Sequence, residues 1–158
     1  RMEFYYPNFI NGMCRIMGLC FFNDKQHFVL EQEKRFDISL IIPFLKEKGI
    51  ALYDTADEVV RTKNNASDKD LEIVRPSDLD GMLRQLPECK AATTAGELAA
   101  SEYCNQYDIA GVKVGEYSEF MLDNRLMRLY RMPSSSRAYP MKLENKAIYY
   151  NKVFKEIF

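Results

Sequence analysis

A single histidine stands among the 158 residues, and tryptophan is absent. With only His27 to draw on, nucleophilic catalysis of the Ser-His-Asp or Cys-His kind has little support. His27 sits in the charged stretch Asn23-Asp24-Lys25-Gln26-His27, where solvent exposure is the expectation. Cys14, Cys20, Cys89 and Cys104 include no Cys-x-x-Cys pair, and no cysteine flanks the histidine. Reduced, mostly buried thiols are therefore expected, and no metal site or cofactor. Neither G-x-G-x-x-G nor a Walker pattern occurs, so the chain has no glycine-rich phosphate loop. A basic surplus is lacking too. The net charge of −1 withholds the usual electrostatic sign of nucleic-acid binding, although a local basic patch can exist on a neutral protein. No apolar run approaches the roughly 20 residues that span a bilayer, and the opening residues do not read as a signal peptide. The expectation is a cytoplasmic protein with no membrane partner.

What the chain does contain is ordinary for one globular domain: 47% hydrophobic and 28% charged residues over a length sufficient for a core. Apolar spacing predicts a helix over about residues 8–20, with Phe9, Met13, Ile16, Met17 and Cys20 on one face. Residues 23–37 read as a charged, poorly periodic excursion. Ile38 to Lys48 reads as a helix closed by Gly49, with Lys46 and Lys48 near its C-terminus. The short apolar run Ile50-Ala51-Leu52-Tyr53 is expected as a buried strand with Asp54 at its end. Residues 61–70 form a polar loop, and Pro76-Ser77-Asp78 opens a helix with Leu79, Met82, Leu83 and Leu86 inward.

Further on, Lys90 to Ala95 is a strand, turned by Gly96 into a helix over about 97–107. Residues 112–122 suggest a strand pair or hairpin. Arg125 to Met132 alternates toward the loop Pro133-Ser134-Ser135-Ser136-Arg137, and a last helix covers about 141–157. Strands separated by helices imply an α/β fold, a mostly parallel sheet with helices on both faces. In such sheets ligands bind beyond the carboxyl ends of the strands. That rule selects Asp54, Gly96 and the Pro133–Arg137 loop.

Met132-Pro133-Ser134-Ser135-Ser136-Arg137-Ala138 resembles the second signature loop of the uracil-DNA glycosylase superfamily, in the form found in thymine-DNA and mismatch-specific uracil glycosylases. Tyr6-Pro7-Asn8-Phe9-Ile10-Asn11-Gly12-Met13 resembles its aromatic-proline segment leading into an Asn-x-Phe-Trp helix start. Gly49-Ile50-Ala51-Leu52-Tyr53-Asp54 resembles its second-strand segment, nearest the hypoxanthine-excising branch. The motifs follow the family's order and the resemblance extends over nearly all of the chain. It implies a short, mostly parallel sheet in a three-layer αβα sandwich, forming one domain over residues 1–158. It also implies two departures. The family's first signature, a Gly-x-x-Pro loop that in many branches positions the attacking water, would lie upstream of Tyr6, where five residues precede. The domain is thus expected to be N-terminally shortened, without its first strand. In addition, Cys14 takes the place of the usual tryptophan.

The implied activity is hydrolysis of the N-glycosidic bond of a deaminated base, uracil or hypoxanthine, by a cofactor-free, nucleoid-associated monomer with DNA as its partner. The base must be flipped out of the duplex, stacked and read along its edge. By resemblance Tyr6 stacks under that base, and Asp54 and Asn11 face it. Read without the resemblance, Tyr6 is a packed surface aromatic. An ionised aspartate only accepts hydrogen bonds, so Asp54 would take an N–H of hypoxanthine or bind a water. It would otherwise cap the loop that follows it. Pro133, Ser134, Ser135 and Ser136 would meet phosphates, and Arg137 would fill the gap left by the base or pair with phosphate. Otherwise they form a serine-rich turn with a solvated arginine. Asn64 and Asn65 lie on a loop that would approach the same pocket. A catalytically inactive DNA-binding relative and an unrelated small-molecule-binding α/β domain are the alternatives.

Overall fold

Several helix boundaries in the computed structural model, which describes residues 3–63 and 70–158, follow from a local hydrogen-bond choice. The first helix, α1 (Met13–Phe22), starts later than apolar spacing predicts. Asn8 explains the delay: its side-chain oxygen accepts from the Ile10 N–H at 3.1 Å, and its carbonyl accepts from the Asn11 N–H at 2.8 Å. Asparagine offers the backbone a turn in place of a helix. The helix ends at Asn23, which adopts the left-handed conformation with φ 55°.

The excursion that follows is not featureless. It holds a small hairpin, β1 (Val29–Leu30) against β2 (Arg35–Phe36). Phe28 and Phe36 point into the core while the charges between them stay outside. His27 departs from the expected exposure; it is half-buried, its ring stacked on Phe22 at 3.6 Å. Asp37 caps α2 (Ile38–Lys48) by accepting from the Ser39 N–H, and Gly49 closes it with φ 65°, as the sequence predicts.

Ile50 to Tyr53 is not a strand. The Ile50 N–H turns back to the Leu45 carbonyl at 2.9 Å, Tyr53 is 56% exposed against Tyr5, and no strand among the described residues pairs with this segment. An apolar run needs neighbouring ladders to become a buried strand. Antiparallel strands β3 (Ala56–Arg61) and β4 (Leu71–Pro76) come next, on either side of the expected polar loop. Asn64 and Asn65 lie outside the described residues. Then α3 (Leu79–Arg84), capped by Asp78, buries Leu79 and Leu83; Leu86 falls beyond its end and is 39% exposed rather than inward.

The main sheet has the order β5 (Ala91–Ala95), β7 (Arg125–Met132), β6 (Tyr117–Leu122). β5 and β7 are parallel; β6 and β7 are antiparallel across the Asp123-Asn124 turn, with Asp123 at φ 54°. Residues 112–122 thus contribute one strand, whose hairpin partner is β7. The fold is mixed α/β with small, mixed sheets. Between β5 and β6 runs α4 (Glu97–Gln106), and α5 (Leu143–Ile157) ends the chain. Alternation along β7 divides the core. Met127 and Leu129 pack with Leu83, Cys104 and Phe120, while Tyr130 and Met132 pack with residues of α1, α2 and α5.

Candidate functional site

The Pro133–Tyr139 segment leaves the carboxyl end of β7 and is held by three donors, each taking one of its carbonyls. The Tyr150 hydroxyl donates to Pro133 O at 2.9 Å. The Gly12 N–H donates to Ser135 O at 2.9 Å. The Lys146 ammonium donates to Ser136 O at 2.6 Å. Within the loop, Ser134 Oγ accepts from the Ser136 N–H and Ser136 Oγ from the Ala138 N–H, both at 3.2 Å. These are serine turns. Ser135 and Pro133 are buried and Ser134 and Ser136 half-buried, whereas Arg137 is exposed and makes no ion pair among the described residues.

Gly96 lies against this loop. Its φ of 112° suits glycine alone, and a Cβ there would stand 3.4 Å from Ser134 Cβ. The rule for parallel sheets therefore brings Gly96 and the serine loop together across the β5–β7 pair.

Tyr6 is half-buried against the core at φ 55°, a strained conformation for a non-glycine residue. Burial pushes its hydroxyl up to about 12, with further contributions from the Asp54 carboxylate and the Cys14 thiol. Tyr6 in turn adds to the raised pKa of Tyr150, whose main cause is burial. Tyr6 is thus within electrostatic reach of Asp54, Cys14 and Tyr150. It stays protonated, a donor. The Asp54 carboxylate is exposed and accepts no hydrogen bond among the described residues. The Asp54 backbone carbonyl is held instead, by Ser77 Oγ at 2.8 Å, so the side chain does not cap the loop after it. Asn11 spends its side-chain oxygen on the Met13 N–H at 2.9 Å, at the start of α1.

Beside the loop opens a cleft of about 310 Å³, lined by Phe9, Ile10, Gly12, Arg15, Ser135, Arg137, Met141, Leu143 and Lys146. Three of these are cations and none is an acid. Arg15 donates to Phe9 O at 2.7 Å and lies over the rings of Phe9 and Phe36, at 4.5 and 5.1 Å. Lys146 is only 3% exposed, and burial lowers its pKa. Sequence reading missed Arg15 and Lys146. The signal for Lys146 was its spacing: it falls on the α5 face that buries Ala147, Tyr150 and Val153, where a lysine has no packing reason to be.

Burial pushes the Cys14 and Cys20 thiols up to about 12, and all four cysteines are free, which leaves these two protonated and poor nucleophiles. Among the described residues no three of His, Cys, Asp and Glu stand together as a metal site, and no helix is long and apolar enough to cross a membrane. No family model, curated protein or solved structure matches the chain.

Proposed function

We propose that the chain is a DNA glycosylase domain of the uracil-DNA glycosylase type, acting as a cytoplasmic, nucleoid-associated monomer on uracil or hypoxanthine in DNA. One observation carries this reading. The Pro133–Arg137 loop is fixed by its carbonyls beside a cleft whose charged side chains are all cations, in a chain whose net charge is −1. Such a loop presents hydroxyls and a free arginine to a phosphate backbone without having to order itself first. The parallel β5–β7 pair, with core clusters on both faces of β7, is compatible with the αβα sandwich that the resemblance implies.

In the reaction, the carbon–nitrogen bond at the anomeric carbon breaks and its electron pair leaves with the base. A water oxygen then closes on that carbon, and the base takes up a proton. Tyr6 would stack under the flipped base, and Asp54, with its lone pairs free, would accept an N–H from it. The residue that positions the water is not assigned.

The test is single-turnover cleavage of labelled duplexes containing uracil, hypoxanthine, xanthine or thymine opposite guanine. It is run on this chain and on a version extended upstream in its gene. Cleavage by either version supports the reading; silence from both on every lesion sinks the enzymatic claim. A non-catalytic DNA-binding role is the second reading, favoured by the cationic cleft, which would serve binding without any residue that positions a water. It predicts lesion-duplex binding without cleavage.

A further inference from the structure

A buried ammonium without a carboxylate is costly, because its hydration is lost and nothing of opposite charge replaces it. Lys146 is in this situation. Among the described residues its Nζ has one hydrogen-bond partner, the Ser136 carbonyl, and it lies 5.4 Å from the centroid of the Tyr139 ring. No acid pairs with it among the described residues. An ammonium carries three donors, so two remain for a ligand in the cleft that Lys146 lines. Arg15 and Arg137 line the same cleft, the first stiffened by its stacking on Phe9 and Phe36. Adding three positive charges while leaving out every acid would be a poor way to build an empty groove.

We infer that this cleft is an oxyanion site for a backbone phosphate of bound nucleic acid, with Lys146 as its innermost cation and Arg15 and Arg137 as the outer pair. The inference rests on the glycosylase reading for the source of the phosphate, but not for the site itself. A tetrahedral oxyanion suits donors arriving from separate elements, α1, α5 and the serine loop. The apolar rim of Ile10, Met141 and Leu143 suits the flanking sugars. Lys146 would then tie phosphate to the loop directly, since the same ammonium holds Ser136. Arg15 and Lys146 act here as binding residues.

The test uses wild type, Lys146→Met and Arg15→Gln. Methionine fills the lysine's volume and removes a buried charge, so the variant is expected to fold. Thermal unfolding is followed with inorganic phosphate against chloride at matched ionic strength. Binding to an abasic-site duplex is followed as a function of salt. Phosphate should raise the melting temperature of wild type but not of Lys146→Met, and the slope of log K against log salt should become shallower by about 1 in each variant. A lysine that only held the Ser136 carbonyl would move the melting temperature and leave the slope unchanged. If duplex binds and both slopes match wild type, the site assignment is overturned while the glycosylase reading stands. If phosphate stabilises through Lys146 but no duplex binds, the oxyanion site stands for free phosphate and the glycosylase reading falls. If phosphate shifts no protein, or all three equally, the inference is wrong.

Discussion

A Cβ on Gly12 would stand 3.0 Å from Ser135 O and 2.9 Å from Leu143 Cδ1. The leucine tip can swing away, but the carbonyl is backbone and is already bonded to the Gly12 N–H. Gly12→Ala therefore stretches the contact that seats the serine loop on α1. Alanine is also poorer than glycine at the N-cap of α1, and we expect a net loss of about 1 kcal/mol. Gly111→Ala, which meets nothing within 4 Å, should stay within about 0.5 kcal/mol of wild type. Urea denaturation of the two variants checks this, and equal stabilities would refute it. A second residue-scale expectation concerns alkali. The Tyr6 hydroxyl titrates near 10.0 when unfolded and at about 12 when folded. Its contribution to stability is complete below pH 10 and is lost as pH rises toward 12, because the unfolded chain ionises first. Tyr6→Phe cannot ionise, so its stability should fall less steeply than wild type across that interval; parallel curves would contradict the assignment.

At the scale of elements, Pro43 stands inside α2 and cannot donate to the preceding turn. It is exposed, so Pro43→Ala removes no core contact. Alanine gains roughly 3 kcal/mol of helix propensity over proline and gives back up to about 1 kcal/mol through a freer unfolded chain. A net gain of about 2 kcal/mol is expected in denaturant melts, and a loss would mean that the helix is bent around the proline for packing. Elements like α2, with lysines near its end and a closing glycine, were legible because their signals are local. So were β5 and β7, and the loop after them. Ile50–Tyr53 was misread because strand formation depends on a partner, which no local pattern reveals. β3 and β4 were missed for the converse reason: Val59, Val60 and Val74 are exposed and show no buried periodicity. Of the candidate site, the loop and Tyr6 were visible as motifs. Arg15 and Lys146 were not, because a cation is recognised as part of a cleft only once three elements meet.

At the scale of the whole molecule, β7 is the shared wall of two cores. Leu129 and Met127 are fully buried on one face, and Tyr130 and Met132 on the other. Any opening that exposes β7 breaks both clusters at once, so its amides should exchange with solvent only through global unfolding. The β3–β4 pair is different: most of its residues are exposed, and its ladder carries register shifts near Glu58. Its amides depend on a two-stranded ladder with little apolar cover, and such ladders are marginal by themselves. Native-state hydrogen exchange should therefore show Val59 and Val60 opening at a free energy well below that of Leu129 and Tyr130. Leu129→Ala, costing about 2–5 kcal/mol, should lower the β7 protection by that full amount and leave the β3–β4 rates unchanged. If both sets of amides slowed and quickened together, the hairpin would be part of the same cooperative unit as β7, and the cleft beside the serine loop would be coupled to it.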